Sequence, residues 1–260
     1  MFDSLLQLVV APALVGVSTL AARRWGQRMG GSVSAFPAIV GPVLFIAARE
    51  HGPAFAARAA SGTLLGLVAL SGFALACGWA AALRAGWLPS LAAGWAIAAG
   101  IAAFLAGVEA GPVLGLAAAS LSLLVPHRAL PRRAHPVGGV PAPAWDLPLR
   151  LALTAVLVVS LSASAGALGP ATGGVLAALP VLASILAAFT HCQEGPVALV
   201  ALLRGMLAGM AGFVVFCVTV AGLVERVGIG PAFGAAAVAA VAVHAAAARG
   251  PARDAGYAPA

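Results

Sequence analysis

The sequence predicts an all-α polytopic membrane protein. It should have about nine transmembrane helices, arranged as two four-helix repeats in inverted topology and joined by one extra helix. Three observations predict this. The 260 residues are 62% hydrophobic and only 8% charged, with a mean hydropathy of +1.07. The apolar residues fall into nine runs that lack the polar alternation of a membrane β-barrel. The chain also matches itself when Gly30 is laid on Gly173.

The first run, 4–22, could pass for a signal peptide. However, Asp3 lies before it and Arg23, Arg24 and Arg28 follow it, so a retained helix with its N-terminus outside is expected. Further runs lie at 32–49, 57–83 and 88–107. The stretch from Leu88 to Val125 is too long for one helix, and Gly111-Pro112 is a turn signal, so 111–125 is expected to be a separate helix. The segment 126–150 holds four Arg, two His and six Pro, and reads as a cytoplasmic linker between two halves. The last runs lie at 149–168, 173–191, 197–222 and 230–248. The expected division is 1–108 for the first repeat, 109–148 for connecting helix and linker, 149–250 for the second repeat and 251–260 for a disordered tail.

The net charge of +7 would suggest nucleic acid in a soluble protein. Here the arginines sit between apolar runs, and cytoplasmic loops collect them. No nucleic-acid partner is expected. The charges place Arg84, Arg204, Arg249 and the linker inside, and Glu109, Glu225 and the 50–58 gap outside, with the C-terminus inside. Arg49 and Arg58 run against this rule.

In the self-match, "GGSVSAFPAIVGPVLFIAAREHGP" lies over "GGVLAALPVLASILAAFTHCQEGP". Nine of the 37 ungapped positions from Gly30 to Gly66 are identical, including Pro37/Pro180, Gly52/Gly195, Pro53/Pro196, Gly62/Gly205 and Gly66/Gly209. One helix between two four-helix units reverses the second, the plan of many secondary transporters.

Each half resembles GlpM, a family of small four-helix bacterial inner-membrane proteins. The resemblance is carried by Phe36-Pro37, Glu50-x-Gly52 and Arg58 in the first half. In the second it is carried by Leu179-Pro180, Glu194-Gly195 and Arg204, with different spacing after the glycine. It implies a bacterial inner-membrane location and a link to cell-envelope or exopolysaccharide (alginate) production. It also implies that a single unit could pair as an antiparallel dimer, of which this chain looks like the fused form; a homodimer is a further expected partnership.

Pro37 and Pro180 are expected to kink their helices from inside, and freed carbonyls there could face a solute or ion; a packing kink is the competing reading. Arg49, Glu50 and His51 end one helix, while His191, Gln193 and Glu194 end its counterpart. Glu50 and Glu194 are the natural proton carriers; Arg49, Arg58 and Arg204 are the natural anion contacts. Against this, charged groups at helix ends can simply reach headgroups. The Gly62/Gly66 and Gly205/Gly209 pairs suggest that their two helices pack on each other. His244 reads as a lone tucked-in polar residue, and Trp25, Trp87 and Trp145 as an interfacial belt.

Cys77, Cys192 and Cys217 form no disulfide framework or metal pattern, and no nucleotide fingerprint or catalytic set is present. No cofactor, metal or enzymatic activity is expected. The expected function is a secondary transporter or flippase-like carrier for a small anionic or lipid-linked solute, working in the bilayer. The alternatives are a membrane scaffold for envelope polysaccharide assembly and, more remotely, a lipid-modifying enzyme.

Overall fold

The structure is a computed structural model and describes residues 2–37, 40–105, 112–131, 143–168 and 180–249. Every regular element among them is helical: α1 (Phe2–Trp25), α2 (Gln27–Ser34), α3 (Val40–His51), α4 (Pro53–Ala82), α5 (Trp87–Leu105), α6 (Pro112–Ala129), α7 (Asp146–Leu168), α8 (Val181–Val227) and α9 (Ile229–Arg249). The expected residues 108–111, the centre of the linker, the start of the seventh run (173–179) and the tail lie outside the described residues. Among the described residues, α4, α5, α8 and α9 are long and apolar enough to cross a membrane. The chain is a helical membrane protein.

Glycine and proline set the helix boundaries. Gly52 (φ 89°, ψ 170°) and Gly195 (φ 85°, ψ −176°) adopt a backbone conformation that is essentially closed to residues with a Cβ. Each is followed by a proline, which needs no N–H partner in a first helical turn. Gly52 therefore separates α3 from α4. Gly195 divides α8 into two arms, 181–194 and 196–227, which correspond to the expected runs at 173–191 and 197–222.

Contrary to expectation, neither Pro37 nor Pro180 kinks a helix from inside. Pro37 lies beyond the end of α2, and Pro180 lies just before α8. The run 32–49 is thus two helices rather than one bent helix. The residue before a proline is pushed away from helical geometry, and α2 ends in short-range bonds from Ala35 N–H to Ser32 and from Phe36 N–H to Val33 (3.3 and 3.1 Å). The proline carbonyls are not free: Pro37 accepts from Gly41 N–H at 2.9 Å. Pro180 accepts from Ser184 N–H at 2.8 Å. The Ser184 hydroxyl also donates to it, at 2.7 Å.

Helices α4 and α8 form the centre. Half of α4's apolar stretch is buried (50%), against 22% for α5 and for α9, which line the outside. Gly78 near the end of α4 faces Leu203 near the start of the second arm of α8, and also Leu130 after α6. The two central helices are therefore antiparallel, and Gly52 and Gly195 lie at opposite ends of the bundle. Gly115 of α6 sits beside Ser61 and Leu64. So α6 runs alongside α4, in the same direction, from the level of Ser61 to that of Gly78. Its 18 residues span roughly 27 Å at 1.5 Å per residue.

Helices α4 and α8 do pack on each other, as expected, but not through their glycine pairs. A Cβ on Gly205 would strike the carbonyl oxygen of Arg28, and one on Gly209 that of Ser32; Gly31 is similarly closed by Leu202. The partner of the Gly205/Gly209 face is therefore α2, not α4. A Cβ added on Gly62 or Gly66 would meet no atom within 4 Å among the described residues. His244 is not alone either: its Nε2 lies 3.3 Å from Ser32 Oγ, and Phe36 meets its ring edge-on at 5.7 Å.

This packing predicts an asymmetry. Gly205→Leu should destabilise the protein by about 2 kcal/mol or more, because the obstructing atoms are backbone. Gly62→Leu should stay within about 0.5 kcal/mol of wild type. Thermal unfolding in detergent distinguishes them; equal losses would contradict the close α2–α8 approach.

Candidate functional site

A buried charge cluster lies at the Gly195 end of the bundle. It is assembled from four elements that are far apart in sequence. Helix α1 ends with Arg23, α2 starts with Gln27, α7 starts with Asp146, and the first arm of α8 ends with Gln193 and Glu194. Helices α1 and α7 pack antiparallel, with Gly16 against Leu151, which brings Arg23 to the start of α7.

Asp146 is the centre of the cluster and is fully buried. Its Oδ2 accepts from Arg23 Nη2 at 2.6 Å, and its Oδ1 from Arg150 Nε at 2.9 Å and Gln193 Nε2 at 2.6 Å. Arg150 is itself 4% exposed, and its guanidinium lies 4.8 Å from the centre of the Phe189 ring. That stacking holds a planar cation inside an apolar wall. Asp146 also sits in the first turn of α7, where the helix dipole favours a negative charge. Burial alone would push its carboxyl up. The Arg150 and Gln193 hydrogen bonds, the Arg150 charge and the Arg23 bond outweigh burial and hold it below the usual carboxylate range.

Glu194 has a different environment. Its Oε1 accepts from the Gln27 amide, and it takes part in none of the ion pairs among the described residues. Arg150, Asp146 and Arg23 act on it from further away.

The sequence-predicted residues divide by end of the bundle. Gln193 and Glu194 belong to the cluster. His191 is buried one turn earlier, and its Nδ1 finds no partner among the described residues. Arg204 donates to the Leu130 carbonyl at 2.8 Å, tying α8 to the end of α6. Arg49, Glu50, His51 and Arg58 are exposed at the opposite end. There His51 stacks beside Phe55 at 4.8 Å. Pro37 and Pro180 belong to neither cluster. The Phe36–Pro37 break faces α9, and Pro180 is linked through Ser184 to Trp95 of α5, whose Nε1 donates to Ser184 Oγ at 2.7 Å.

Sequence reasoning missed Asp146, Arg150, Arg23 and Gln27 as site residues. One signal was present. Asp146 is the only acid in the 126–150 segment, it opens an apolar helix, and Arg150 follows four residues later. Among the described residues, no group of three or more His, Cys, Asp or Glu could hold a metal ion.

No protein-family model, curated protein or solved structure matches the chain.

Asp146→Asn should cost about 3 kcal/mol near neutral pH, because it leaves the Arg150 charge buried without its partner. Because the folded pKa of Asp146 lies below its unfolded value, this stability is present above about pH 3.9. It is lost as pH falls through the lower folded value. Melting of wild type and variant across pH checks this: the gap should close only in acid. A gap that closes between pH 6 and 8 would assign it to another group.

Proposed function

We propose that this chain is a secondary transporter or flippase-like carrier of the bacterial inner membrane. It moves a small anionic or lipid-linked solute used in cell-envelope metabolism. The observation that carries the reading is the buried charge cluster at a break in the most central helix. Ionisable groups inside an apolar bundle are costly, and their usual role is to handle a solute or an ion. Arg23, half-exposed at the edge of the cluster, is the group an incoming anion would meet first.

An inverted repeat, which we propose as part of this reading, fits the helix bounds. Adding 143 to the bounds of α1, α3, α4 and α5 gives 145–168, 183–194, 196–225 and 230–248. These lie within two residues of α7, the two arms of α8, and α9. The Gly-Pro breaks of the two halves share one backbone conformation and lie at opposite ends. The course of α6 alongside α4 fits the additional crossing that inversion requires. In a carrier of this plan, one unit rocks against the other around a site between them. The resemblance of each half to GlpM supports the inner-membrane and envelope assignment.

The exposed apolar faces of α5 and α9 favour a second reading, a scaffold for polysaccharide assembly. It requires lateral protein partners and no solute movement.

Topology tests the first reading. Cys192 is exposed next to the Gly195 break, whereas Cys77 and Cys217 are buried. In intact cells an impermeant maleimide should leave Cys192 unlabelled until the cytoplasm is opened. With Cys192 replaced by Ser, His51→Cys should label from outside, since the N-terminus is outside and the C-terminus inside. Labelling of both from one side would sink the inverted arrangement. Substrate screening in proteoliposomes then separates carrier from scaffold.

A further inference from the structure

The two carboxylates of the cluster are held in different ways. Asp146 is saturated by three donors, two of them guanidinium groups. A carboxylate in that setting stays ionised. Glu194 is held by one neutral donor, the Gln27 amide. The charged groups around it are Arg150 and Asp146 from α7 and Arg23 from α1. Its own helix adds His191 three residues back, and α2 contributes only the neutral Gln27.

The Gln27–Glu194 bond also spans two pivots. Gln27 is the first residue of α2, directly after Gly26 (φ 90°, ψ 162°). Glu194 directly precedes Gly195 (φ 85°, ψ −176°). Both glycines hold conformations that residues with a Cβ rarely adopt, and each marks a place where one rigid helix can swing on the next. The bond closes the gap between the two swinging pieces. Its acceptor is an anion, and an anionic acceptor binds about twice as strongly as a neutral one.

We propose that Glu194 is the proton-binding site of this cluster, and that its protonation releases a latch between the start of α2 and the break in α8. A proton from solvent adds to the Glu194 carboxylate. The Gln27 amide then faces a neutral acid, the charge-assisted bond is lost, and the Gly195 end of the bundle loosens about its two glycines. Asp146 and its arginines keep α1, α7 and α8 together throughout. The proposal deepens the carrier reading and rests on it for its purpose: it names the coupling ion and the group that carries it.

Spin labels on native Cys192 and on Arg28→Cys report the distance between α8 and α2 in nanodiscs. Cys77 and Cys217 are buried and stay unlabelled. The wild-type distance should shift by about 2 Å or more as pH falls. Glu194→Gln should show the acid-state distance at every pH. Gln27→Ala should do the same without changing any charge, and it carries the test if Glu194→Gln does not fold. A distance that ignores pH overturns the proposal. So does a pH response that survives Glu194→Gln, since it would belong to another group. Counterflow in proteoliposomes separates the two readings. A pH-dependent distance with no solute movement keeps the latch and removes the carrier. Solute movement with a fixed distance does the reverse.

Discussion

Gly205 and Gly209 face the carbonyl oxygens of Arg28 and Ser32 with no room for a methyl group between them. Much of the molecule depends on that contact. Lipid supplies no hydrophobic force to press helices together, so close van der Waals approach must supply the association. Here it seats the eight-residue α2 parallel to the second arm of α8, between that helix and α1. With α2 in that groove, Gln27 can only emerge beside Glu194, and Ser32 beside His244.

The same economy explains where charge is tolerated. A buried guanidinium or carboxylate survives in an apolar bundle only when its partners are complete. Asp146, Arg23, Arg150, Gln193 and the Phe189 ring form such a set, drawn from three helices. The Gly52 end makes the contrast. Arg49, Glu50 and His51 occupy an equivalent place in the last turn of a helix before a Gly-Pro break, yet they are exposed. The two ends are alike in backbone and unlike in chemistry.

The apolar runs were legible because lipid imposes length and composition on any helix that crosses it. Gly52-Pro53 and Gly195-Pro196 were legible as breaks because glycine and proline act through their own covalent geometry. Pro37 and Pro180 were recognised as special but misassigned as interior kinks. Whether a proline bends a helix or ends it depends on the backbone around it, and here Pro37 and Pro180 precede α3 and α8, with their carbonyls accepting the first bonds of those helices from Gly41 and Ser184. Gln193 and Glu194 were found because charge is conspicuous in an apolar sequence. Asp146 was not, because it lay in a linker already rich in charge.

By itself, then, the sequence determined that this is a helical membrane protein, where most of its helices start and stop, and that the Gly205/Gly209 face would be a close contact. Those properties follow from hydrophobicity and backbone conformation, which act over a few residues. Tertiary structure alone decided which charges meet. Arg23 finds Asp146 across 123 residues, and Gln27 finds Glu194 across 167. Packing also decided that the Gly205/Gly209 face would receive α2 rather than α4. Local spacing sets a helix and its exposed stripe, but it carries no record of which distant helix end will lie beside it, and a buried charge is defined by that neighbour.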